Sequence, residues 1–259
     1  MNRALVTGAG GRLGQAMAIY LGQRGYDVAI HYASSDEGAR ETQRQVEAAG
    51  QKAVCLQADL LDPAQTTALF DAAVRELGGP ITCLINNASI FEHDTIETAT
   101  EDSWHRHISS NLHAPFLLSQ SFAQQGLTPS TDDASEPVAT GLIVNMVDQR
   151  VLKLTPEFMT YTIAKMGLWA MTQTTARALA PAVRVNAIGP GPTLQGSRQS
   201  LDHFTAQRQA TILKRGANPD DITRALGYFI DSPAITGQLL CVDGGQHLAW
   251  ETPDVLGVE

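Results

Sequence analysis

Near its start the chain reads Ala4-Leu5-Val6-Thr7-Gly8-Ala9-Gly10-Gly11-Arg12-Leu13-Gly14. A short apolar run, patterned as a strand, passes through glycines into the helical pattern Leu13–Arg24. Glycines in such a loop let the backbone approach a phosphate chain, and the helix N-terminus behind them offers free N–H groups and a favourable dipole. The literal dinucleotide spacing is absent, because after Gly8 and Gly10 the third glycine falls at 14 rather than 13. The loop gains its weight from lying between a first strand and a first helix.

The alternation continues outward from this loop. Strand-like runs occur at Ala4–Thr7, Val28–Tyr32, Ala53–Gln57, Cys83–Asn86, Gly141–Val147, Val183–Ala187 and Gln238–Val242. Helical patterns at Asp36–Ala49, Pro63–Leu77, Glu101–Gln125, Glu157–Leu179 and Asp220–Ile230 lie between them. This rhythm predicts an α/β fold: one doubly wound Rossmann domain over residues 1–259, with a seven-stranded parallel sheet and helices on both faces. Two segments break the rhythm. The polar, acidic stretch 127–139 reads as a surface loop, and 192–215, which follows Gly189-Pro190-Gly191-Pro192, reads as a flap beside the ligand crevice.

Composition narrows the partners. A formal charge of −9 argues against nucleic acid, which needs a basic surface. No apolar run is long enough to span a membrane, and Met1-Asn2-Arg3 leads straight into the first strand without room for a signal peptide, so a cytoplasmic enzyme of small molecules is expected. Cys55, Cys83 and Cys241 are odd in number and far apart, which suits buried free thiols, and no His/Cys cluster has metal-ligand spacing.

The second strand ends in His31-Tyr32-Ala33-Ser34-Ser35. An NAD site would place a carboxylate near position 32 for the ribose hydroxyls. Tyrosine stands there instead, with Ser34, Ser35 and the facing Arg12 as a pocket for the 2′-phosphate of NADP. Asp36 and Glu37 carry the wrong charge for that pocket and suit the N-terminus of the next helix, capped by Ser34 or Ser35.

Tyr161 and Lys165 stand four residues apart in a helical pattern and so share one face. A lysine cation beside a tyrosine favours the phenolate and lowers its pKa, which would let the pair relay a proton to an atom made basic by an arriving hydride. Asp148 ends a strand thirteen residues upstream; it is either part of this chemistry or an exposed strand-end acid. With Thr7-Gly8…Gly14, Asp59, Asn86-Asn87-Ala88, Asn111, Pro190-Gly191 and Asp243-Gly244-Gly245, the chain resembles the short-chain dehydrogenase/reductase family from Arg3 to about Leu248.

That resemblance implies an NADP(H)-dependent oxidoreductase, often a homotetramer. Tyr161 would be the general acid, Lys165 the ribose-binding partner of the tyrosine, and Asn111 the holder of a relay water. Asp59 would contact the adenine, and Asn87 with Ala88 the adenosine ribose. Further cofactor contacts would come from Gly8, Arg12, Leu13, Gly14, Ser34, Ser35, Leu60, Pro190 and Gly191. Three departures from the common pattern are Arg12 in the glycine loop, Asp148 in place of the catalytic serine, and Ser89-Ile90-Phe91 after Asn86-Asn87-Ala88. Together they resemble the pteridine reductase branch, including dihydromonapterin and dihydrofolate reductases. Ser89 and Phe91 would then face the substrate; Phe91 either stacks on a flat pterin or packs beneath the flap, and Arg12 serves either the cofactor phosphate alone or the pterin as well. The alternatives are a 3-oxoacyl-type carbonyl reductase and a catalytically silent NADPH sensor.

Overall fold

The computed structural model describes residues 2–196 and 199–251. The expected flap positions 197 and 198, and the ends 1 and 252–259 of the expected domain, lie outside the described residues. Seven parallel strands form one sheet: β1 (Asn2–Val6), β2 (Tyr26–Tyr32), β3 (Ala53–Gln57), β4 (Cys83–Asn86), β7 (Gly141–Met146), β8 (Val183–Pro190) and β9 (Leu239–Val242), in the order β3-β2-β1-β4-β7-β8-β9. The order reverses between β1 and β4, which pair Val6 opposite Ile85, so a crevice opens beyond their carboxyl ends.

Period-two alternation assigns each strand residue a face. Ala4, Val6, Val28, Ile30, Cys83, Ile85, Val144 and Met146 meet Met17 and Leu21 of α1 (Arg12–Gln23), Val46 of α2 (Asp36–Ala48) and Leu226 and Phe229 of α8 (Pro219–Asp231). The intervening Leu5, Ala29, Leu84 and Ile143 meet Leu69 and Phe70 of α3 (Pro63–Leu77), Leu118 and Phe122 of α5 (Ala114–Gln124) and Ala176 of α6 (Met159–Leu179). Both faces are covered, which is why the strands read as near-continuous apolar runs.

Three local expectations need correction. The single helix expected over Glu101–Gln125 is α4 (Glu101–Ile108), a π-helical turn at Ser109–His113, and then α5. Pro115 has no N–H for the Asn111 carbonyl, so the regular ladder cannot pass through this point. The stretch 127–139 is not loop throughout: Ser130–Thr131 (β5) pairs antiparallel with Pro137–Val138 (β6). The flap holds a helix, α7 (Leu201–Gln209), capped by Ser200 Oγ accepting from the His203 N–H. No residue of α7 is buried, so it carries no amphipathic signal.

Candidate active site

A cleft of about 670 Å³ lies at the switch point, and of the residues expected to work there only Gly14 and Asn111 do not line it. Its floor is the glycine loop. Gly8 has φ +64°, a conformation other residues rarely adopt, and its N–H donates to His31 Nδ1 at 3.0 Å. His31 Nε2 in turn meets the Ala58 carbonyl at 3.1 Å, and burial lowers the ring's pKa to about 4, so a neutral imidazole ties the loop to two strands. Gly14 serves from behind the wall: a Cβ there would stand 2.2 Å from the Gly8 carbonyl and 2.5 Å from Asn87 Nδ2. Asn87 Nδ2 donates to the Thr7 carbonyl at 2.8 Å, and Thr7 Oγ1 accepts the N–H groups of Asn87 and Ala88.

These residues fit a dinucleotide. The N-cap of α1 is Gly11, no side chain caps the helix, and its first turn has no acid, so its N–H groups and dipole are available to a diphosphate. Tyr32, Ser34, Ser35, Asp59 and Leu60 line the same cleft. Ser35 is the N-cap of α2, yet neither it nor another side chain makes the capping bond expected of it. The Asp59 carboxylate accepts the Leu61 N–H at 2.9 Å. Arg12, at φ +54°, lines the same cleft and is tied to the flap, where Nη1 donates to the Gln195 carbonyl at 2.9 Å and Nη2 to the Leu194 carbonyl at 3.2 Å.

At the other end of the cleft, Tyr161 Oη donates to Asp148 Oδ2 at 2.8 Å, while Asp148 Oδ1 accepts the Arg150 N–H at 2.8 Å. Lys165 Nζ lies 5.7 Å from the centre of the Tyr161 ring and donates to the Met146 carbonyl at 2.7 Å. The electrostatics reverse the expected direction at the tyrosine. Burial, then the neighbouring Asp148 charge and hydrogen bond, hold the Tyr161 pKa well above its ordinary value. Burial also raises Asp148 and lowers Lys165 to about 8. Arg150 and Ser89 act in the opposite direction on the tyrosine without overcoming burial and Asp148.

Asn111 is buried in the π turn with both ends of its side chain committed: Oδ1 accepts the Ile90 N–H at 2.9 Å and Nδ2 donates to the Ile90 carbonyl at 2.8 Å. Asn86 is structural, donating to Asn145 Oδ1 at 2.8 Å, and Asn145 donates onward to Thr172. Gly191, just beyond β8, has its N–H on the Val242 carbonyl, and a Cβ there would stand 2.6 Å from Asp243. Phe91 stacks on Phe158 at 4.3 Å and 3°, meets Tyr161 edge-on at 4.7 Å, and stays half exposed.

Several participants escaped sequence reading. Phe158, a non-glycine residue at φ +55°, forms the platform behind Phe91. Behind the tyrosine, the Glu92 N–H donates to His107 Nε2 at 3.2 Å, which leaves the ring proton on Nδ1, 2.6 Å from Thr160 Oγ1. The Thr160 hydroxyl donates to Asp94 Oδ2. This buried chain pins α4 and the segment after Phe91 to the residue preceding Tyr161. Each contact joins residues fifteen or more positions apart, and only the spacing of polar residues inside apolar surroundings could have hinted at it.

Residues 8–247 match the family described as enoyl-(acyl carrier protein) reductase. The chain is a member of the short-chain dehydrogenase/reductase family. As such it is similar to the FolM alternative dihydrofolate reductase 1 of Brucella suis, solved in complex with NADP, at 39% identity over 98% of each chain with a TM-score of 0.89. A ketoreductase for angucycline C-6, LanV, solved with bound NADP, is 28% identical over 96% of each chain with a TM-score of 0.85. Among curated relatives of this short-chain reductase, the 3beta-hydroxysteroid dehydrogenase 1 of Eggerthella lenta is 32% identical over 94% of this chain and 93% of its own.

Proposed function

We propose that this oxidoreductase uses NADPH to reduce a ring C=N bond of a dihydropteridine, with Tyr161 as the proton donor and Asp148 as the source of its proton. The observation that carries the reading is the buried 2.8 Å bond between Tyr161 Oη and Asp148 Oδ2. NADPH suits the uncapped N-terminus of α1 and the absence of a carboxylate at Tyr32, and the similar dihydrofolate reductase was solved with NADP. Bound in the cleft, it would supply the hydride.

Everything else falls to the chain. Burial raises the Asp148 pKa above the ordinary carboxylate range, and because Oδ1 already accepts the Arg150 N–H, the proton of the acid form belongs on Oδ2; in that form the 2.8 Å bond runs from Asp148 to the phenol oxygen, and the Tyr161 hydroxyl turns its own proton toward the substrate. As the ring nitrogen of the substrate becomes basic, Tyr161 gives it the phenolic proton and takes the Asp148 proton in its place. The tyrosine thus never has to persist as a phenolate, which suits its raised pKa. Lys165 holds positive charge beneath the ring and offers donors to the nicotinamide ribose. Asn111 acts on water through its main-chain carbonyl, since its amide is committed to Ile90. Arg12 holds the flap over the bound pair, while Ser89 and Phe91 form the substrate wall.

A second reading, reduction of a ketone, draws support from the hydroxysteroid dehydrogenase and ketoreductase relatives. Oxidation of NADPH by the purified protein, followed with dihydropterins, dihydrofolate and simple ketones in parallel, separates the two. Turnover confined to ketones would replace the first reading with the second.

A further inference from the structure

Arg150 is a cleft-lining cation whose charge bears on Asp148 and Tyr161 but whose guanidinium donors the proposed reduction does not use. Its Nη1 donates to Thr155 Oγ1, and its guanidinium plane lies over Phe158, 5.0 Å from the ring centre. Phe158 in turn backs Phe91, which touches Tyr161. The arginine is therefore fixed at one end of a stack whose other end is the proposed proton donor. Left-handed backbone at a non-glycine residue such as Phe158 is strained and persists where the surroundings require it.

Among the described residues no ion pair includes Arg150. Its Nε is buried without an acceptor, and Nη1 is its only nitrogen with a side-chain hydrogen bond among those residues. Nε–H and the parallel N–H of Nη2 form the fork that binds a carboxylate with two bonds. The same molecule uses that fork elsewhere: Arg106 presents Nε and Nη2 to the two oxygens of Glu92 at 3.4 and 3.1 Å. At Arg150 the corresponding pair meets no carboxylate among the described residues.

We infer that Arg150 receives an anionic group on the side chain of the substrate, so that the enzyme favours a dihydropteridine with an acidic tail over one with a neutral tail. This rests on the dihydropteridine reading and specifies which members of that class fit. A carboxylate and a phosphate ester share the chemistry the fork recognises, and the substrates distinguish them.

The test is kcat/KM with NADPH for three compounds: dihydrofolate, a dihydropterin with a neutral hydroxylated side chain, and the phosphate ester of that dihydropterin. Each is measured in wild type, Arg150→Gln and Arg150→Lys. Wild type should favour at least one anionic compound over the neutral one. Arg150→Gln should shrink that ratio about 10- to 100-fold, whatever change it causes in all three together. Arg150→Lys should restore part of it, since lysine keeps the charge without the fork. A loss confined to dihydrofolate identifies the carboxylate as the ligand, and one confined to the ester identifies the phosphate. A ratio unchanged in Arg150→Gln overturns the inference and leaves the dihydropteridine reading standing. A wild type silent on all three compounds overturns that reading, and the anion site with it.

Discussion

The Tyr161 hydroxyl faces Asp148 Oδ2 at 2.8 Å, whereas the Lys165 amine beneath the same ring is turned to the Met146 carbonyl. The three groups form a buried set in which the acid, not the amine, is the hydrogen-bonding partner of the phenol.

Lys165 binds its proton less firmly than in the unfolded chain, because burial brings its pKa from 10.5 to about 8. The unfolded chain therefore holds more protons between those values, and the contribution of Lys165 to stability rises with pH across that window. Below pH 8, keeping the buried amine charged costs about 3 kcal/mol. Lys165→Met should nearly abolish turnover yet raise the melting temperature at pH 7, with the gain shrinking as the pH approaches 10.5. Melting scans across this range check it, and a variant less stable at pH 7 would contradict it.

Tyr32 closes β2 and lines the cleft, its hydroxyl donating to Asp36 Oδ1 at 2.9 Å. Tyr32→Asp should place a carboxylate against the 2′-phosphate of NADPH. We predict a fall of about 10- to 100-fold in kcat/KM for NADPH, with NADH affected far less. Equal losses for both coenzymes would mean that this end of the cleft does not face the phosphate.

Thr160 passes a hydrogen bond from His107 to Asp94 directly beside the tyrosine. Thr160→Val keeps the shape but leaves the buried His107 Nδ1–H without an acceptor, which should destabilise the fold by about 1–3 kcal/mol. Thr160→Ser should restore most of that loss. Urea denaturation of the two variants measures the difference, and a valine variant as stable as wild type would show that the chain of bonds contributes nothing net.

The glycine loop, the strand rhythm and the Tyr161–Lys165 spacing made the fold and the centre of the site legible, because each is a local pattern whose physics does not depend on distant residues. What could not be read came from long-range contacts. Arg12 faces Ser34 in the sequence logic and is also tied to Leu194 and Gln195, more than 180 residues away. The raised pKa of Tyr161 follows from its burial against Asp148 and could not be deduced from a lysine four residues on. Helix α7 stayed hidden because it buries no side chain, and the π turn because the constraint at Pro115 acts on a carbonyl one turn earlier.

The central claim is that Asp148 supplies the proton Tyr161 delivers, and kcat/KM for a dihydropteridine against pH, in wild type and Asp148→Asn, tests it most directly. Burial raises the Asp148 pKa, so the proton-donating form is present at low pH and is lost as pH rises through that raised value. Wild-type activity should fall along the same limb. Asp148→Asn keeps the shape without a titrating proton, so it should lose about 10²–10⁴-fold in activity and lack that limb. A variant with near-normal activity and an unchanged pH profile would contradict the account, leaving the Asp148 carboxylate a structural partner of Tyr161 and Arg150.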